Sequence, residues 1–140
     1  MTEKFKILSK YIKDMSSETP NIETYLYVKD HISKYQLSID IKSTAIKNHH
    51  IEVDTSLKYG DKDETKKKSY FEIVYSTVVR VNEEVKEKKE MEKIILIDVQ
   101  NKIYPDIEKS FLNLLHNSGY PSVKFEKKID FEELYNRQFN

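Results

Sequence analysis

Cysteine is absent, so the sequence offers neither a disulfide framework nor thiolate chemistry. Glycine occurs twice and proline three times. Two glycines cannot build the close-approach loops that nucleotide sites favour, and no Gly-rich phosphate loop, HExxH or GxSxG pattern is present. Net charge is lacking as well, because 24 acidic residues balance 24 basic ones. A nucleic-acid partner or an anionic membrane surface therefore gains no support. No apolar run approaches the ~18 residues that a membrane span needs, and the Met-Thr-Glu-Lys start is no signal peptide. The expectation is a soluble, cytoplasmic protein with no cofactor, no metal and no direct membrane insertion.

Apolar content is also low. Hydrophobic residues make up 38% with the 10 tyrosines included, whereas globular domains reach ~45–50% on a count that omits tyrosine. The 140 residues suit one domain, residues 1–140, able to bury ~68% of its unfolded surface. A chain so polar yet strongly patterned can complete its core by association, a first indication of an oligomer.

What is present begins with one well-marked helix between Asn101 and Phe125. Pro105 suits its first turn, and Asp106 and Glu108 complement the positive end of the dipole. Tyr104, Ile107, Phe111, Leu114 and Leu115 recur at steps of three and four, His116 sits near the negative end, Gly119 fits C′ and Pro121 stops the helix. Upstream, Lys4 to Asp14 reads as a strand with Ile7 and Tyr11 opposite Leu8 and Ile12, then a turn over Ser16 to Asn21. Asn21 to Lys34 has no clean period and reads as a long ordered connection.

Leu37, Ile39 and Ile41, then Ile51, Val53, Thr55, Leu57 and Tyr59, alternate strictly with polar residues, as half-buried antiparallel strands do. A charged loop, Gly60 to Lys68, leads to a fourth strand over Ser69 to Val81, with Phe71, Ile73 and Tyr75 on one face and Tyr70, Glu72 and Val74 on the other. Residues 82–93 are a mixed-charge run that reads as a solvated loop or frayed helical entry, and residues 94–99 fit a strand or a buried helix. Asp130 can cap a last short helix carrying Phe131, Leu134 and Tyr135. Strands followed by helices make an α+β domain.

Chemistry is sparse. Of the four histidines, His31, His49, His50 and His116, only His49 and His50 are neighbours, in an apparent KNHH turn that sends them to opposite sides. No carboxylate is set apart. The residues point to a binding protein rather than an enzyme.

Several segments carry a resemblance. Tyr11 to Asn21, YIKDMSSETPN, is similar to the signature Y-x-K-D-x-S-x-E-x-P-N of the SecB protein-export chaperones. Leu26-Tyr27-Val28-Lys29-Asp30 resembles that family's crossover connection, and Tyr70-Phe71-Glu72-Ile73 its fourth strand. Gln100 to Pro105 and Ser118 to Ser122 resemble the entry and exit of its long helix, and Asp130 to Tyr135 its N-F-D-A-L-F segment. The order and spacing follow the family over nearly the whole chain. The differences are a neutral, lysine-rich composition where the family is usually acidic, and NEEVKEKKEMEK in place of a Gly-rich connection.

The resemblance implies a four-stranded antiparallel sheet backed by the long helix and a short C-terminal helix, assembling as a dimer of dimers. It implies a chaperone that holds unfolded preproteins and delivers them to the SecA ATPase. Asp14, Glu18, Tyr70 and Glu72 would dock SecA. Leu26, Tyr27, Tyr104, Tyr120, Leu134 and Tyr135 would line the surface that holds clients, and Phe71, Ile73 and Tyr75 would support the homotetramer. The residues alone also allow Asp14 and Glu18 to support the turn at Pro20, and each apolar side chain to be core. A relative dedicated to one partner, such as an antitoxin, is the alternative; the lack of an acidic tail after the last helix is compatible with it.

Overall fold

Period-2 alternation decides the first half of the chain. In the computed structural model, which describes residues 3–62 and 67–139, four strands form one antiparallel sheet. They are β1 (Phe5–Glu18), β2 (Gln36–Ala45), β3 (His50–Gly60) and β4 (Tyr70–Val81), in the order β1-β4-β3-β2. Helix α1 (Ile22–His31) bridges β1 and β2, and α2 (Lys88–Lys93), α3 (Val99–Asn117) and α4 (Phe131–Phe139) follow β4. The α+β class and the strands, long helix and short last helix are those expected from the sequence.

Tyr59, Leu57 and Thr55 of β3 face Phe71, Ile73 and Tyr75 of β4 across the ladder, and all six are buried. This inner face packs under α3, whose Ile103, Ile107, Phe111 and Leu115 are fully buried. A polar pair sits inside that contact: Gln100 Nε2 donates to Thr55 Oγ1 at 2.9 Å, with both residues at 0% exposure. Among the described residues the other face of the sheet carries no helix, and Lys13 there bridges Glu52 (3.1 Å) and Asp54 (2.9 Å). The β2–β3 turn runs through Asn48 and His49, both at positive φ, and closes with His50 N donating to Lys47 O.

Four expectations change. The first strand runs on into the expected turn as far as Glu18, because Ser16, Ser17 and Glu18 continue to pair with Glu72, Phe71 and Tyr70. Register shifts between Ile7 and Ser9 and between Ile12 and Asp14 break its alternation. Ile7 and Ile12 therefore share the inner face, opposite Val79 and Tyr75, while Tyr11 lies outside opposite Ser76. The supposed connection after Asn21 is mostly α1, whose Asn21 side chain accepts from Thr24 N at 2.9 Å.

The long helix also starts earlier than expected. Residues 94–98 form a π-type turn that joins α2 to α3, so Pro105 lies inside α3 rather than in its first turn. An interior proline costs ~3 kcal/mol, but Ile94, Ile95 and Val99 are buried ahead of it, at ~1.5–3 kcal/mol each. Tertiary burial outweighs the local rule. Of the charged Gly60 to Lys68 stretch, Gly60 still ends β3 and residues 61–62 and 67–68 are irregular; residues 63–66 lie outside the described residues.

Candidate functional site

The exit of α3 determines where open surface remains. Gly119 takes φ +108°, Tyr120 N donates back to Leu115 O, and His116 Nε2 donates to Val123 O at 2.9 Å. The following connection is then pinned by Phe125, edge-on to Tyr59 at 5.4 Å and stacked near Phe111 at 6.2 Å. Asp130 ends it by accepting Glu133 N at 3.0 Å, the cap expected for α4, and Phe131 seats α4 against Tyr104 at 5.4 Å.

This route leaves a cleft between the connection and edge strand β2. Its floor is apolar, with Leu37, Ile39, Phe125 and Leu134 half-buried beside Tyr35 and Tyr59. Its rim is polar and includes the exposed Lys124, Lys127 and Lys128. The floor continues past Ile39 and Leu134 towards Ile41, Ile95, Leu96 and Tyr135. A second groove runs on the other side of the connection, along Tyr104, Pro105, Leu112 and Ile129.

The six candidates for client binding are scattered between surface and core. Leu26 is exposed, and Tyr27 and Leu134 are half-buried, Tyr27 stacking on His31 at 4.1 Å. Tyr104, Tyr120 and Tyr135 are buried. Tyr120 fills space between Phe71 and Tyr25, and its hydroxyl lies 3.1 Å from Ser69 Oγ. Burial, with Glu108 nearby, pushes the Tyr104 phenol well above its ordinary range. These three rings shape the walls from behind rather than offering a face. Phe71, Ile73 and Tyr75, at 1%, 0% and 8% exposure, are likewise enclosed by this chain's own helices. Much of the apolar surface still open on the sheet lies instead on β1, where Leu8, Tyr11, Ile12 and Met15 are each close to 45% exposed.

Asp14, Glu18, Tyr70 and Glu72 do come together, at one corner of the helix-free face. Glu18 is level with Tyr70, and Asp14 with Val74. Tyr70 Oη donates to Glu72 Oε1 at 2.8 Å, and Lys58 Nζ approaches Glu72 Oε2 at 3.5 Å. That hydrogen bond, then desolvation and the charges of Glu72, Asp14 and Glu18, raise the Tyr70 phenol above its ordinary value. The corner is an acidic, hydrogen-bonded surface able to complement a basic partner.

Sequence reasoning passed over Leu37, Ile39, Phe125 and the three rim lysines. Alternation showed which face Leu37 and Ile39 use, but not that the cover over them is incomplete. The apolar-basic run 123–129 was the available signal. Among the described residues, no three metal-ligating side chains gather, and no helix is long and apolar enough to cross a membrane.

Comparison with known proteins agrees with the fold. The family model described as preprotein translocase subunit SecB matches residues 1–140. A putative protein-export protein SecB of Pelagibacter ubique is 61% identical over 140 residues, 100% of each chain. Protein-export protein SecB of Bartonella bacilliformis is 23% identical over 134 residues, 96% of this chain and 82% of its own. Among solved structures, a SecB-like chaperone of Mycobacterium tuberculosis in complex with an antitoxin peptide is similar at TM-score 0.68 and 11% identity, over 90% of this chain and 91% of that one.

Proposed function

This chain belongs to the SecB family of protein-export chaperones, and on that premise we propose that it holds unfolded preproteins without ATP and passes them to the SecA ATPase in the cytoplasm. The observation that carries the reading is the apolar-floored cleft beside the free edge of β2. Shallow apolar contacts contribute ~25 cal/mol per Å² whatever the sequence, so a long unfolded chain gains affinity without a specific pocket. The edge strand adds unpaired backbone groups that any extended segment can meet. Leu26, Tyr27 and Leu134 extend the holding surface.

The native particle in this reading is a homotetramer, a dimer of dimers, and the apolar side chains of β1 support it. Leu8, Tyr11, Ile12 and Met15 sit on a 14-residue edge strand, which a folded protein normally covers or pairs. Asp14, Glu18, Tyr70 and Glu72 form the docking corner for SecA. The alternative, holding one dedicated partner such as an antitoxin, draws on the M. tuberculosis likeness, which concerns the fold.

The test is suppression of aggregation of a reduced, unfolded preprotein, with particle mass followed by light scattering. Holding by wild type, weakened by Leu134→Ser with Tyr27→Ser at unchanged mass, supports the reading. A wild-type protein that suppresses nothing sinks it. Holding of one antitoxin and of no preprotein would select the alternative.

A further inference from the structure

Resting on the holding role proposed above, the geometry points to a charge selectivity in the β2 cleft: it takes extended apolar segments that carry acidic side chains in preference to basic ones. The whole chain is neutral, so any bias must be local. At this cleft it is. Lys124, Lys127 and Lys128 stand exposed on the connection, and none has a carboxylate within ion-pair distance among the described residues. The cleft's lining holds Lys124, Lys127, Lys128 and Arg137 against Glu126, Asp130 and Glu133, one cation in excess, and the three lysines are concentrated on the connection. Glu133 faces Arg137 at 3.7 Å, and Asp130 Oδ1 accepts the Glu133 amide. Glu126 is left against three lysines.

The apolar floor and the free strand edge specify an extended peptide. Among the described residues β2 pairs with β3 alone, through residues 36–45, leaving its other side open over 10 residues, about 33 Å at ~3.3 Å per residue. A segment laid along it turns alternate side chains towards Leu37, Ile39 and Phe125. Acidic residues interspersed there meet the lysine rim, whereas basic ones meet like charge. A polynucleotide or anionic lipid satisfies the lysines but leaves the apolar floor unmatched.

Labelled 12-residue peptides test this directly, with Leu and Phe alternating with Glu, Lys or Gln, titrated against the full chain by fluorescence anisotropy. Three exposed charge contacts of ordinary strength predict about tenfold tighter binding of the Glu peptide than of the Lys peptide at low salt. The gap should close as ionic strength rises. Lys124→Glu, Lys127→Glu and Lys128→Glu together should invert the ranking at an unchanged urea midpoint. If that variant does not fold, Lys127→Glu alone and the wild-type salt series carry the same reading.

Equal affinities at low salt, or a ranking that survives the reversal, overturn the selectivity even if unfolded preprotein is still held. Lysine-dependent binding of a single-stranded oligonucleotide or of phosphatidylglycerol vesicles, without discrimination among peptides, overturns it in favour of a polyanion site. Peptide discrimination by a protein that holds no unfolded chain retains the selectivity and sinks the holding role.

Discussion

Gly119→Ala is the sharpest probe of how α3 and α1 are tied together. Gly119 lies at φ +108°, and a Cβ there would stand 2.6 Å from Tyr25 Cε1. An L-residue in that backbone region costs ~1–3 kcal/mol. The Tyr25 ring must also move, which breaks its 3.0 Å hydrogen bond to Gly119 O and its 5.5 Å contact with Tyr120. Those two interactions are worth ~0.5–1.5 kcal/mol each. The lower entropy of the unfolded alanine chain returns ~0.4–1 kcal/mol. The net loss is about 1–5.5 kcal/mol, centred on ~3, read as a lower urea midpoint at fixed protein concentration.

Tyr25→Leu supplies the control, because it removes both the clash and the hydrogen bond. In that background Gly119→Ala should cost only its backbone share, so the two substitutions couple by roughly 1–2 kcal/mol. A loss below ~1 kcal/mol, or additivity within ~0.5 kcal/mol, would refute the argument that this glycine exists to admit Tyr25. Since α1 carries Leu26 and Tyr27, holding of an unfolded client should weaken along with stability.

Thr55→Val strands the buried Gln100 amide and should lower stability by ~1–3 kcal/mol, while adding Gln100→Leu should restore most of it; a larger loss in the double variant would contradict this. Burial raises the Tyr35 and Tyr59 phenols, so their contribution is fully present below the ordinary value of ~10 and lost as pH rises beyond it. Absorbance near the phenolate band should show late-titrating tyrosines accompanied by unfolding; titration at the ordinary value in a folded protein would refute it. Asp14→Lys and Glu72→Lys should weaken SecA binding in surface-plasmon assays, less so at high salt, while client holding is retained; equal loss of holding would reject the assigned corner. Leu8→Asp with Ile12→Asp should reduce particle mass while leaving the circular dichroism of the sheet in place; an unchanged mass would clear β1 of the assembly role.

Much of the fold is readable because one face of the sheet is wet and the other is dry. Ile51 to Tyr59 and Phe71 to Tyr75 announce their strands by period alone, and Asp130 announces α4 by its cap. Helix α1 was hidden because Ile22 and Leu26 are exposed while Thr24 and Val28 are buried, which smears the apolar period. The bulges in β1 add a residue without changing composition, so nothing in the sequence warned that Tyr11 and Ile7 would part company. Tyrosines were the hardest to place. The same ring serves as core in Tyr120 and as half-open surface in Tyr27, and only the path of the chain around it decides which.

The distribution of burial across the sheet explains why both edges remain available. Val53 and Leu57 on central β3 are completely buried, whereas Leu37, Ile39 and Ile41 on neighbouring β2 are only partly covered. On the other side, Tyr75 and Ile73 are buried while their β1 neighbours Ile12 and Met15 stay open. The helices therefore cover the middle of the inner face and run out before either margin. The two margins differ in chemistry. β1 is long, apolar on both faces and free of proline, as an edge that pairs with another copy of itself would be. β2 is short, shadowed by an apolar floor and ringed by lysines. Assembly through β1 would leave β2 unoccupied, so self-association and client holding need not compete for one surface.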